Sequence, residues 1–142
     1  MTKFRLSRII EVKEKLIEDK ERELEETISA MNDIIQDIDI TEKDIEKSYN
    51  KLTFPSLSGG DFSVLKDYLT YLENRKTCLL DEQANTQQRI DHLRANLVEL
   101  LKEQKMLETL QSKALKVLKK NENRKIQKNL DAMALRIEER RI

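Results

Sequence analysis

The chain has 142 residues, 38% of them charged, with two glycines, one proline and 4% aromatic residues, a composition that excludes the thick apolar core of a compact globular domain. Its 27 basic and 27 acidic residues cancel, so no global electrostatic attraction to nucleic acid or to an anionic membrane exists. Disorder is the other state that such polarity permits, but disordered chains lack the periodic apolar residues found here.

From about residue 4 to 53 there is no glycine or proline, and Glu, Lys, Leu and Ile dominate, which predicts one long helix. Within it Ile10, Ile17, Leu24, Met31, Ile38, Ile45 and Leu52 recur once per heptad, the mark of a helix that buries a narrow seam against another helix. Placing these seven at heptad position d puts Ser7, Glu14, Glu21, Ile28, Ile35, Glu42 and Tyr49 at a.

The breaker cluster follows at about residues 54–61, Phe54-Pro55-Ser56-Leu57-Ser58-Gly59-Gly60-Asp61. Proline disfavours helix at the residue before it, and a glycine pair allows backbone angles that reverse the chain, so a hairpin turn is expected. Asp61 or Ser63 is the expected cap of a second helix, about residues 62–138. Its d line reads Leu65, Leu72, Leu79, Thr86, Leu93, Leu100 and Leu107, and its a line Leu69, Lys76, Gln83, Ile90, Leu97 and Gln104. The expected fold is all-α, a single domain of two long helices forming an antiparallel coiled-coil hairpin with the second helix longer.

Antiparallel helices pair a with d. Folding about residue 57 sets Ile45 against Leu69, Ile38 against Lys76, Ile35 against Leu79, Leu24 against Ile90, Ile17 against Leu97, Ile10 against Gln104 and Ser7 against Leu107. In this register no level is polar on both sides, and Glu14, Glu21, Glu42 and Lys76 lie in the seam with their charges snorkelling to water. Residues 1–60 carry 10 bases and 14 acids and residues 61–142 carry 17 and 13, opposite excesses that suit a chain folded back on itself.

Beyond Leu107 the second helix has only the first six residues to lean on, yet the apolar spacing continues through Leu110, Ala114, Val117 and Leu118 and, after a phase slip, Ile126, Leu130, Met133 and Ile137. Within it, residues 113–128 carry Lys113, Lys116, Lys119, Lys120, Arg124, Lys125 and Lys128 against Glu122 alone. A basic amphipathic helix without an internal partner points to an external one. Its apolar opposite face, with no aromatic residue among the bases, favours a protein socket over single-stranded nucleic acid.

Residues for catalysis are missing. His92 is the one histidine and Cys78 the one cysteine, fourteen residues apart, which makes neither a metal site nor a nucleophile pair. Cys78, beside Leu79 and Leu80, is expected as a small buried or half-buried side chain in a reducing compartment. The carboxylate pairs Glu25-Glu26 and Glu138-Glu139 lie on solvated helix faces, and Gly59-Gly60 is followed by Asp61-Phe62 rather than the lysine and hydroxyl of a phosphate loop. No enzymatic activity and no cofactor are expected. No apolar run approaches the roughly 18–20 residues of a membrane span, and no signal-peptide core follows Met1, so a cytoplasmic protein without membrane insertion is expected.

Three stretches carry a resemblance that covers nearly the whole chain. They are the opening Phe4-Arg5-Leu6-Ser7-Arg8-Ile9-Ile10-Glu11-Val12-Lys13, the start of the second helix at Tyr68-Leu69-Thr70-Tyr71-Leu72-Glu73, and the tail from Glu122 through Arg124, Lys125 and Lys128 to Leu130, Met133 and Ala134. In their order and in total length the chain resembles the FliJ family of flagellar type III export proteins. Where tails of that family tend to read Asp-Glu-x-Ala, this one has Asp131-Ala132-Met133-Ala134.

The resemblance implies a non-enzymatic central stalk for the hexameric export ATPase FliI. Such a stalk promotes ring assembly, links the ring to the export gate protein FlhA, and escorts export chaperones. It implies a cytoplasmic location, peripheral to the inner membrane at the flagellar base. On the family's pattern, Ile45, Tyr49, Tyr68, Leu72, Arg75 and Leu79 are the candidate gate-binding residues. The candidates for the ATPase ring are Lys113, Lys116, Lys120, Arg124, Lys125, Lys128, Leu130 and Met133. An injectisome stalk, or a scaffold or holdase-like hairpin, remains an alternative of the same architecture.

Overall fold

The structure is a computed structural model that describes residues 2–54 and 58–141. Two helices account for nearly all of them: α1, Thr2–Leu52, 51 residues, and α2, Gly59–Arg141, 83 residues. The two pack against each other, and there is no strand among the described residues. Pro55, Ser56 and Leu57, at the centre of the expected turn, lie outside the described residues.

Local chemistry sets the helix ends. At the close of α1 the amides of Thr53 and Phe54 donate to the carbonyls of Asn50 and Lys51, both at 3.2 Å, tightening the last turn, and the Lys51 charge favours the carbonyl end of the helix dipole. α2 begins three residues earlier than the sequence suggests, because Ser58, not Asp61 or Ser63, is its cap. The Ser58 hydroxyl accepts from the Asp61 amide at 3.1 Å, and its carbonyl takes the first helical bond from Phe62 at 2.9 Å. Gly59 and Gly60 therefore form the first turn of the helix, and no glycine among the described residues has positive φ. Asp61, three residues after the cap, places a carboxylate at the positive end of the dipole.

The chain divides into two compact units, residues 19–97 and residues 1–18 with 98–142. In the first unit Glu23 meets Arg89 at 3.2 Å, Glu42 meets Lys76 at 3.3 Å, and the Tyr49 hydroxyl donates to Glu73 at 2.8 Å. These contacts run in opposite chain directions and set Leu24 level with Leu93, Ile38 with Leu79, and Ile45 with Leu72. In the second unit Gln111 Nε2 donates to Ser7 Oγ at 3.0 Å and Lys13 pairs with Glu103, which sets Ile10 level with Leu107 and Ile17 with Leu100. Both units hold α2 three residues further along than the expected pairing.

The cause is an error in one line of α1. Ile10, Ile17 and Met31 are buried and Leu24, Ile38, Ile45 and Leu52 half-buried, and both expected lines of α2 are buried or half-buried throughout. The second seam line of α1, however, runs one residue earlier than expected, through Leu6, Lys13, Lys20, Thr27, Ile34, Thr41 and Ser48. Glu14, Glu21, Ile35, Glu42 and Tyr49 are exposed instead. Thr27 and Thr41 tolerate burial because their hydroxyls donate to the carbonyls of Glu23 and Asp37 within the same helix, each at 2.7 Å, leaving the methyl for the seam. No buried side-chain nitrogen or oxygen among the described residues lacks a partner.

Two levels are consequently polar on both sides, Thr41 with Lys76 and Lys13 with Gln104. Each lysine is only half-buried and carries its ammonium to a carboxylate at the seam edge, Glu42 or Glu103, so no charge is stranded. Burial also differs from expectation at Cys78, which is exposed: it precedes the seam residue Leu79 by one place and so points away from α1, as does Leu80 on the other side.

Candidate protein-docking surfaces

Five of the six aromatic residues fall between residues 49 and 71, all in the unit of residues 19–97, and all five are exposed. Large aromatic side chains cost most to leave in water, so this stretch gains by being covered, although its aromatics do not share one face: Tyr49 bonds Glu73 on one edge of the helix pair, and Tyr68 and Tyr71 lie on the other. Tyr68 and Tyr71, three residues apart on α2, stack with ring centroids 6.4 Å apart and planes 24° from parallel. Phe54, Phe62 and Val64 are exposed as well.

The six residues expected to bind the gate protein separate by accessibility. Leu72 and Leu79 are buried in the seam and Ile45 is half-buried beside them, so they shape the surface from beneath. Tyr49, Tyr68 and Arg75 face solvent. Sequence reasoning passed over Tyr71, Phe62 and Val64. The signal available was the clustering itself, in a chain with 4% aromatics.

Tyr49 spans the two helices through its hydrogen bond to Glu73, and the acceptor carboxylate raises the phenol's pKa above the ordinary tyrosine value. A raised pKa means that the contact contributes below the unfolded-state value and is lost as pH rises through the folded one. Ultraviolet titration of Glu73→Gln is expected to return Tyr49 to the ordinary tyrosine range. Glu23 is shifted the opposite way, downward, by hydrogen bonds from Arg89 and Lys20. Its contribution is present above the ordinary carboxylate range and lost as pH falls through the lowered pKa; the pair is solvent-exposed and screened.

The second surface belongs to the unit of residues 1–18 and 98–142. There Leu107, Gln111 and Ala114 are half-buried, and every residue from Leu115 to Arg140 is exposed. Lys113, Lys116, Lys120, Arg124, Lys125 and Lys128 all face solvent, together with Leu130 and Met133. So do Val117, Leu118, Ile126 and Ile137, apolar side chains at helical spacing with nothing of the described chain over them. A helix of this kind is held by its own backbone bonds and by pairs such as Gln127 with Asp131, at 3.2 Å, and not by tertiary packing.

No group of three or more histidine, cysteine, aspartate or glutamate residues suited to a metal ion occurs among the described residues, and His92 and Cys78 both lie on the exposed surface. No described helix is long and apolar enough to cross a membrane. What both surfaces offer is contact area and charge, the means of binding another macromolecule.

A family model described as Flagellar FliJ protein matches residues 2–141. No curated protein and no solved structure gives a significant match.

Proposed function

Since the chain belongs to the flagellar FliJ protein family, whose members are components of flagellar protein export, we propose that it is the central stalk of the hexameric export ATPase. The observation that carries this reading is the uncovered end of α2: from Leu115 to Arg140 no residue is buried, and the segment joins an apolar stripe to a cluster of bases. On this reading the ring lumen covers the apolar stripe of Val117, Leu118, Ile126 and Leu130 and meets the charges of Lys113, Lys120, Arg124 and Lys125.

Threaded this way, the helix promotes ring assembly by contacting several subunits at once. Tyr68, Tyr71 and Arg75, with Tyr49 on the other edge of the helix pair, are then the contact for the export gate protein, and the same exposed surfaces hold export chaperones in transit. The protein works in the cytoplasm at the flagellar base, peripheral to the inner membrane, and catalyses nothing itself.

Purified export ATPase from the same organism is the direct test. Adding this chain is expected to raise ATP hydrolysis and the hexamer fraction together, saturating at a stoichiometry below one chain per ATPase subunit. Hydrolysis and assembly both unchanged at saturating chain would contradict the stalk.

A further inference from the structure

The unit of residues 1–18 and 98–142 has a second apolar surface, on the segment where α1 and α2 are paired. Ile9 and Leu16 each stand one place before a seam residue, Ile10 and Ile17, and Val12 lies between them at helical spacing. On α2 Leu110 stands one place before the seam residue Gln111, and Met106 precedes it by four. In both helices the seam residue concerned is followed three places later by another, which puts these side chains on one edge of an antiparallel pair. Glu103, one heptad before Leu110 and paired with Lys13 of α1, marks the same edge. None of the five is covered: Val12 and Met106 are 63% and 66% exposed.

The edge is also shaped and charged. A shallow groove of about 350 Å³ is lined by Arg5, Arg8, Ile9, Val12 and Lys13. Arg5 and Arg8 bring positive charge to it on α1, and Lys113, one heptad after Met106, lies on the same edge of α2. The carboxylates of this edge are already engaged, Glu103 by Lys13 and Glu99 by Lys102. Two antiparallel helices with an apolar edge and a basic rim present the seat of a third helix.

We infer that this edge binds an amphipathic helix of a partner protein, one with an apolar stripe flanked by acidic residues, as the third member of a helical bundle. Charge decides the occupant. A second copy of this chain offers, as its own uncovered helix, the basic end of α2, which would bring like charge against Arg5, Arg8 and Lys113. An acid-flanked helix meets opposite charge there and covers Ile9, Val12, Leu16, Met106 and Leu110. The inference does not depend on the stalk reading, since it concerns the paired segment and not the α2 end.

The test uses the intact chain and a designed, labelled amphipathic peptide of about four heptads with Leu at its seam positions and Glu on its flanks, beside a twin with Lys on its flanks. Fluorescence anisotropy is expected to show the Glu peptide binding about 10-fold or more tighter than the twin, and Val12→Glu and Leu110→Glu each weakening it about 10-fold or more. Both substitutions are at exposed positions, and circular dichroism checks that the fold persists. Ile126→Glu, on the α2 end, is expected to leave binding unchanged. Equal affinity of the twins, full binding by both edge variants, or loss confined to Ile126→Glu would overturn the inference. So would sedimentation of the chain alone as a dimer that Val12→Glu splits, which would assign the edge to a second copy.

Discussion

Leu93→Ala is expected to lower the free energy of unfolding by about 2–5 kcal/mol, whereas Ile35→Ala is expected to change it by less than about 1 kcal/mol. Leu93 is 3% exposed and sits level with Leu24 in the seam, so truncation leaves a cavity between two helices with no further layer to collapse into it. Ile35 is 46% exposed, and the removed atoms return little area to water. The comparison is sharp because both are large aliphatic residues at heptad spacing. Only the position of the second α1 seam line, through Ile34 and Thr41 instead of Ile35 and Glu42, separates them. Urea unfolding followed by circular dichroism measures both. Equal losses at the two sites would contradict the observed register.

Removing residues 113–142 is expected to abolish stimulation of the export ATPase while leaving the helical pair folded. The segment is about 30 residues, or roughly 45 Å of helix at about 1.5 Å per residue. From Leu115 to Arg140 it buries nothing, half-buried Ala114 is the one small side chain lost, and the contacts of Ser7 with Gln111 and Lys13 with Glu103 lie before the cut. Its deletion therefore costs little stability, and the urea midpoint is expected to stay within about 1 kcal/mol of the intact chain in free energy. ATP hydrolysis by the export ATPase at saturating chain is expected to fall to the level without chain. A passive scaffold working through residues 19–97 makes the opposite forecast, with partner binding retained and hydrolysis indifferent to the cut.

Much of this architecture is legible in the sequence because coiled-coil packing writes itself as a period. The seven apolar residues from Ile10 to Leu52 can face only one way, and the Leu-rich lines of α2 leave no second choice of seam. What misled was the companion line in α1, where the buried residues are Thr27, Thr41 and Ser48 and the exposed ones include Ile35 and Tyr49. Counting hydrophobic residues favours isoleucine over threonine, but a threonine that returns its hydroxyl to its own helix presents a methyl group to the seam at little cost. One such choice in one helix moved the pairing by three residues. The start of α2 was misplaced for a similar reason. Glycine pairs suggest reversal, yet Ser58 with Asp61 three residues on is a capping pattern that admits both glycines to the first turn.

The candidate surfaces were legible to different degrees. Bases and apolar residues beyond Leu107 outrun the length of α1, so their exposure follows from counting alone. The candidate gate-binding set mixes seam and surface, because Leu72 and Leu79 lie on the seam line of α2, and a sequence match does not distinguish contact from support. The edge formed by Ile9, Val12, Leu16, Met106 and Leu110 was not read at all. Its two halves lie about 90 positions apart in the chain, and only the pairing of the helices brings them to one side.

Amide hydrogen exchange along α2, in the free chain and in complex with the export ATPase, tests most directly whether the bare basic end is what the ATPase covers. In the free chain residues 115–140 are expected to exchange far faster than residues 69–97, whose helix is locked by the seam, and on adding the ATPase protection is expected to appear in 115–140 and little elsewhere on α2. Slow exchange of 115–140 in the free chain, or no gain in protection there in a complex shown to have formed, would contradict the account.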